Sequence, residues 1–97
     1  MADAPTIRHR EDASRFEAAL DGARGVLHYQ RSGSGAAASL VIPAVVVDPA
    51  IAGRGVAGAL TRAALDWARS EGLRVEPVCP YVAVWMQRNP EYAALRA

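Results

Sequence analysis

The hydrophobic period changes once along this chain, near Gly53, and that change restricts the class of fold. Before it, Phe16, Ala18 and Leu20 alternate with Arg15, Glu17 and Ala19, the period-two pattern of a half-buried strand. After it, Val56, Leu60, Ala63, Ala64 and Trp67 recur at helical spacing on one face. Strands followed by a helix, joined through a glycine-rich segment, predict an α/β architecture.

Local signals fill in the order. Residues 6–10 read as a first strand and residues 11–14 as a polar turn. Asp21-Gly22 is a hairpin signal, with residues 25–31 as the returning strand. Residues 37–47 form a long apolar stretch, and Pro43 within it predicts a bulge, an edge position or a splayed strand. Gly72 stops the first helix, and residues 73–78 give the next strand. Pro80 opens a second helix to about Arg88, and residues 91–96 add a further helical turn. The expected order is β-β-β-β-α-β-α, a mixed sheet in one domain over residues 1–97, with residues 1–5 disordered.

A chain of 97 residues buries roughly 65% of its unfolded surface, enough for one modest core. The formal net charge is +1, with 11 basic residues, all arginine, against 10 acidic ones. That balance gives no support for a nucleic-acid or membrane-surface partner. Cys79 is the one cysteine, so no intramolecular disulfide and no cysteine-based zinc site is expected, and no metal. A cytoplasmic monomer is the expectation. The start of the chain carries an acid and no apolar segment of signal-peptide type, and the longest apolar runs fall far short of the ~18–20 residues that span a bilayer.

The sharpest local feature is the segment Asp48-Pro49-Ala50-Ile51-Ala52-Gly53-Arg54-Gly55-Val56-Ala57-Gly58 between strand and helix. Glycines let the backbone approach a ligand, and a helix start offers unpaired N–H groups and the positive end of its dipole. Together they suit a phosphate or diphosphate, against the plain alternative of an empty turn. A P-loop is excluded, because Gly58 is followed by Ala59-Leu60 and not by Lys-Ser/Thr. The dinucleotide pattern G-x-G-x-x-G is matched by residues 53–58, with Glu76 as a ribose-binding acid. Against it, five residues separate the strand from the first glycine, and the preceding chain reads as antiparallel hairpin.

Three stretches carry a more specific likeness: residues 15–29 with Arg15-Phe16-Glu17, Leu20-Asp21-Gly22 and Val26-Leu27-His28-Tyr29; residues 48–68; and Val75-Glu76-Pro77-Val78-Cys79-Pro80-Tyr81-Val82 followed by Asn89-Pro90-Glu91-Tyr92. They resemble the small, single-domain GNAT-like N-acetyltransferases over nearly the whole chain, from about residue 7 to 95. Ala52-Gly53-Arg54-Gly55-Val56-Ala57 fits that family's Gln/Arg-x-x-Gly-x-Gly/Ala loop except at its first position. The resemblance implies a minimal GNAT fold, acetyl-CoA as donor, an amine of unidentified chemistry as acceptor, and Cys79 as a candidate catalytic residue. It departs at Ala44-Val45-Val46-Val47, where the family usually carries His-Thr-Glu-Val.

The expected coenzyme contacts are the loop residues Gly53, Arg54, Gly55, Val56, Ala57 and Gly58, and the backbone of Val46 and Val47. A strand amide at Val46 or Val47 is the candidate oxyanion donor, a role the loss of side-chain polarity leaves intact. Cys79 stands at a strand end before a proline-initiated helix, as nucleophile or as a small buried apolar group. Tyr81 is the candidate proton donor to the departing thiolate, or a packing residue at the helix start. Arg54 contacts phosphate or stays in solvent. His9 and His28 read as strand residues, Trp67, Trp85 and Met86 as core, and Arg62 and Arg69 as a solvated helix face. The alternative to catalysis is a CoA-binding module without turnover.

Overall fold

The structure, a computed structural model, describes residues 4–97; of the segment expected to be disordered, residues 1–3 lie outside the described residues. Five strands form one mixed sheet in sequence order: β1 (Thr6–Arg10), β2 (Arg15–Leu20), β3 (Ala23–Ser32), β4 (Ser39–Val47) and β5 (Arg74–Glu76). The first three pairings are antiparallel and β4–β5 is parallel. Helix α1 (Val56–Ser70) makes the crossover between β4 and β5, and α2 (Pro80–Arg88) follows β5. The element order agrees with the sequence reading. The last strand is shorter than expected, because the chain leaves β4 after Glu76.

The β2–β3 turn places Asp21 at φ +50° and Gly22 at φ +78°, the left-handed pair a two-residue hairpin demands. Pro43 lies in a bulge. His28 faces Ala44 and Gln30 faces Val41, so Ile42 and Pro43 together oppose Tyr29. A proline has no N–H for the ladder, and the bulge absorbs that loss.

Both α-helices and the closing 3₁₀ segment pack on one face of the sheet. Phe16, Ala18, Leu20, Leu27, Leu40, Ile42 and Val75 turn toward Val56, Leu60, Ala64, Leu65 and Ala68 of α1, and all are buried. Gly25 lets this packing close. A Cβ there would stand 3.0 Å from Val56 Cγ1 and 3.2 Å from Leu60 Cδ1. The opposite face carries Arg8, Arg24, His28 and Val46, all exposed. Antiparallel sheets tolerate such one-sided solvation.

Both arginines expected on a solvated helix face have partners. Arg62 donates to the Tyr92 hydroxyl at 3.1 Å and lies over the Trp85 and Tyr92 rings. Arg69 lies over Tyr92 and donates to the Glu91 carbonyl at 2.7 Å. They fasten the closing 3₁₀ segment, Pro90–Leu95, against α1. Trp67 and Trp85 are half-buried against the core, and Met86 is buried within it. His9 is structural: its ring stacks on Phe16 at 4.0 Å and its Nε2 lies 2.6 Å from the Tyr29 hydroxyl. Among the described residues no helix is long and apolar enough to cross a membrane, and no cluster of metal-ligating side chains occurs.

Candidate functional site

The site begins where β4 and β5 separate. Their last paired residues are Val41 and Glu76, yet β4 runs on to Val47. The Cys79 amide still reaches across to the Ile42 carbonyl at 2.9 Å, and beyond that point no strand among the described residues pairs with this edge of β4. Ladder alternation says which groups face the gap. Asp48 N–H donates to the Arg24 carbonyl, and Tyr29 N–H to the Ser14 carbonyl, so Val26 and His28 turn their peptide groups toward Val46 and Ala44. The peptide groups of Val46 are therefore spent on β3. Those of Val45 and Val47 point into the gap. Of the two expected backbone contacts, Val47 turns its peptide groups to the gap and Val46 does not; Val45, not among those expected, shares the orientation of Val47.

The segment after β4 is shaped by its own residues. The Asp48 carboxylate accepts from the Ala50 amide at 2.9 Å and opens a 3₁₀ turn, Pro49–Ile51, whose Ile51 is buried. Gly53 at φ +77° and Gly55 at φ +81° then bring the chain into α1, with Gly55 as N-cap. A Cβ at either glycine would meet nothing within 4 Å, so backbone conformation and not crowding demands glycine there. Among the described residues, none of the amides at positions 53–58 has a protein acceptor; the first bond of the helix is from Ala59 to the Gly55 carbonyl. A curved row of free N–H groups at the start of a 15-residue helix presents positively polarised donors of the kind that suit an anion.

A cavity of about 260 Å³ lies against this row. Val47, Ile51, Gly53, Gly55 and Tyr81 line it, with Val56, Ala57 and Gly58 of the first helical turn. Gly58 makes room for α2: a Cβ there would stand 3.4 Å from the Tyr81 hydroxyl and 3.5 Å from the Trp85 indole nitrogen. Tyr81 is 43% exposed; partial desolvation raises its hydroxyl above the ordinary pKa, with Arg88 pulling the other way, and a tyrosine is in any case a neutral donor near pH 7. Arg54 points elsewhere. It pairs with Asp21 at 2.6 Å and ties the loop to the β2–β3 turn. Cys79, 7% exposed, is the N-cap of α2 and sits outside the cavity wall. His28 faces solvent on the far side of the sheet, beside Ala44.

The family model described as GCN5-related N-acetyl-transferase matches residues 15–95. The chain belongs to that family. No curated protein matches it. The match takes in the gap between β4 and β5, the loop and α2, so the cavity belongs to the GNAT-like domain. Membership makes acyl transfer the activity to consider, with acyl-CoA and an amine as the family's general reactants. Gly25 is the contributor that inspection of the sequence passed over. Its signal was a glycine inside a strand, which marks a close approach by a neighbouring element.

Proposed function

We propose that this chain is an acetyl-CoA-dependent N-acetyltransferase whose coenzyme lies along the residue 53–58 amides and the free edge of β4. One observation carries the reading: the acceptor-free loop amides, the unpaired edge at Val47 and the Tyr81 hydroxyl meet in one cavity. The groups present fit a diphosphate with an extended arm. Positively polarised N–H groups meet the phosphates, and peptide groups of Val45 and Val47 are free to pair with an amide-bearing chain.

The coenzyme supplies an acetyl thioester, already activated toward an amine. The chain supplies position and charge. Loop amides fix one end of the donor, and the β4 edge aligns the other, converting a bimolecular encounter into a held geometry. The Val47 N–H is the candidate donor to a developing oxyanion. Tyr81, neutral near pH 7 like any tyrosine, is the candidate donor to a departing thiolate. In a two-step alternative the Cys79 thiolate, at the point where the strands part, would displace the CoA thiolate from the acetyl carbonyl, and the amine would then displace Cys79 to give the amide and restore the thiol.

The test is thermal unfolding with CoA, acetyl-CoA and NAD, followed by intact mass after incubation with acetyl-CoA. CoA at ~100 Kd should stabilise by about 2.7 kcal/mol, and NAD should not. Indifference to millimolar CoA would sink the reading. One acetyl adduct that vanishes in both Cys79→Ala and Cys79→Ser supports a thiol intermediate; equal amine-dependent CoA release by wild type and Cys79→Ala removes it. A binding module without turnover is the second reading. It is favoured by the cavity wall, where Tyr81 is the one titratable side chain among the described residues, and by the aliphatic Ala44 and Val46 alongside. Stabilisation by CoA with no CoA release over a broad amine panel would select it.

A further inference from the structure

The candidate coenzyme cavity lies on the helical side of the sheet, through Val47, Ile51 and the first turn of α1. Neither α-helix covers the opposite side among the described residues, and Val46, 60% exposed, marks where β4 borders the gap on that side. An amine reaching the gap from the uncovered face would pass over Val46.

That face is charged unevenly. The cross-strand row through Val46 runs Arg8, Glu17, Val26, Val46, and the next row runs Thr6, Ala19, Arg24. Ala19 is small, and its neighbours stand around a hollow of about 190 Å³ lined by Thr6, Arg8, Arg10, Glu17, Ala19 and Arg24. Three arginines against one glutamate leave this hollow at +2. The glutamate is already engaged, by Arg15 at 2.6 Å and Arg10 at 3.8 Å. Arg8 and Arg24 are exposed and have no ion-pair partner among the described residues. Two guanidinium groups flanking a small floor suit an oxyanion with several acceptor atoms, a carboxylate or a phosphate.

We propose that the uncovered sheet face is the acceptor side, and that the Arg8–Arg24 hollow takes an anionic group of the amine substrate. This rests on the acetyltransferase reading for its chemistry and on the hollow alone for its charge. The floor of the hollow is on β2 and Val46 is on β4, two strand spacings or about 10 Å away. The preferred acceptor is then an extended amine with its anion about three residues from the amino group.

Two measurements test this. Inorganic phosphate and, separately, succinate are titrated while the amide resonances of Thr6, Ala19 and Arg24 are followed. Saturable shifts in wild type, weakened at least tenfold in Arg8→Gln/Arg24→Gln, are expected. Absence of saturation, or the same affinity in the double variant, overturns the proposal. CoA release is then measured with peptides whose free α-amine lies three residues from Glu, phosphoserine or Gln. A tenfold preference in kcat/KM for an anionic peptide over its Gln version, lost in the double variant, is expected, and the better of the two identifies carboxylate or phosphate. A preference unchanged in the double variant overturns the acceptor role. Arginine-dependent anion binding in a protein that ignores CoA sustains the hollow and faults the acetyltransferase reading instead.

Discussion

Gly25 decides how closely α1 approaches the sheet. Its Cβ would meet Val56 and Leu60 at 3.0 and 3.2 Å, inside a core with no slack. Gly25→Ala should therefore cost about 1–3 kcal/mol through overpacking, seen as a fall in Tm. Gly25→Ala/Val56→Ala should recover part of that loss, because the second change removes the methyl that collides. Additive losses in the double-mutant cycle would show that this contact is not the cause. His9 makes the complementary point about charge. Burial lowers its pKa, with Glu11 opposing, so the folded state holds the ring neutral. The unfolded chain then binds the extra proton first. Stability should fall as pH drops below the unfolded value of about 6.5 and level off below the folded value. The slope should disappear in His9→Gln, measured by urea unfolding between pH 7 and 5; an unchanged slope would acquit His9. Tyr81→Phe should keep CoA-dependent stabilisation and lower turnover by about 10²-fold or more, if the hydroxyl donates as proposed.

At the scale of elements, Tyr92 is the buried anchor of the closing 3₁₀ segment. Tyr92 is 3% exposed; its hydroxyl donates to Asp66 Oδ1 at 2.7 Å and accepts from Arg62. Tyr92→Phe should cost about 1 kcal/mol. Tyr92→Ala should cost about 3–5 kcal/mol, since the ring also packs on Trp85 and under Arg69. Equal losses for the two would mean that the ring contributes nothing beyond its hydroxyl. The elements themselves were legible because each carries its own signal: alternation in β2, Asp21-Gly22 at the hairpin, helical spacing after Gly53. Pro43 limited β4 to a few conformations, and the bulge is one of them. Less was legible where partners lie far apart in sequence. Arg54 with Asp21, and Arg62 with Tyr92, are separated by 33 and 30 residues. No local pattern reports such pairs, so one arginine was a candidate phosphate ligand and the other a solvated charge.

For the whole molecule, the one-sided layer arrangement is what the sequence left unstated. Period-two alternation says that one face of a strand is wet; it does not say that all five strands turn the same face to solvent. Nor does it say which peptide groups of β4 are left over when β5 ends at Glu76. That depends on register, which carries Val45 and Val47 to the gap and Val46 to β3. Binding should report this globally. A domain of this size gains roughly 4–8 °C in Tm for each kcal/mol, so CoA should move the unfolding curve well beyond measurement error. The exposed Val46→Arg variant should leave that shift intact, because its side chain is on the other face.

The sheet itself then acts as a wall between two approaches. Donor and acceptor would not queue for the same doorway, since each has a side of β4 to itself. If the amine attacks the bound thioester directly, initial-rate plots at several fixed amine levels should intersect, and free CoA should compete with acetyl-CoA but not with the amine; transfer through Cys79 predicts the opposite pattern. Parallel lines would mean that the acetyl group waits on the protein between two visits.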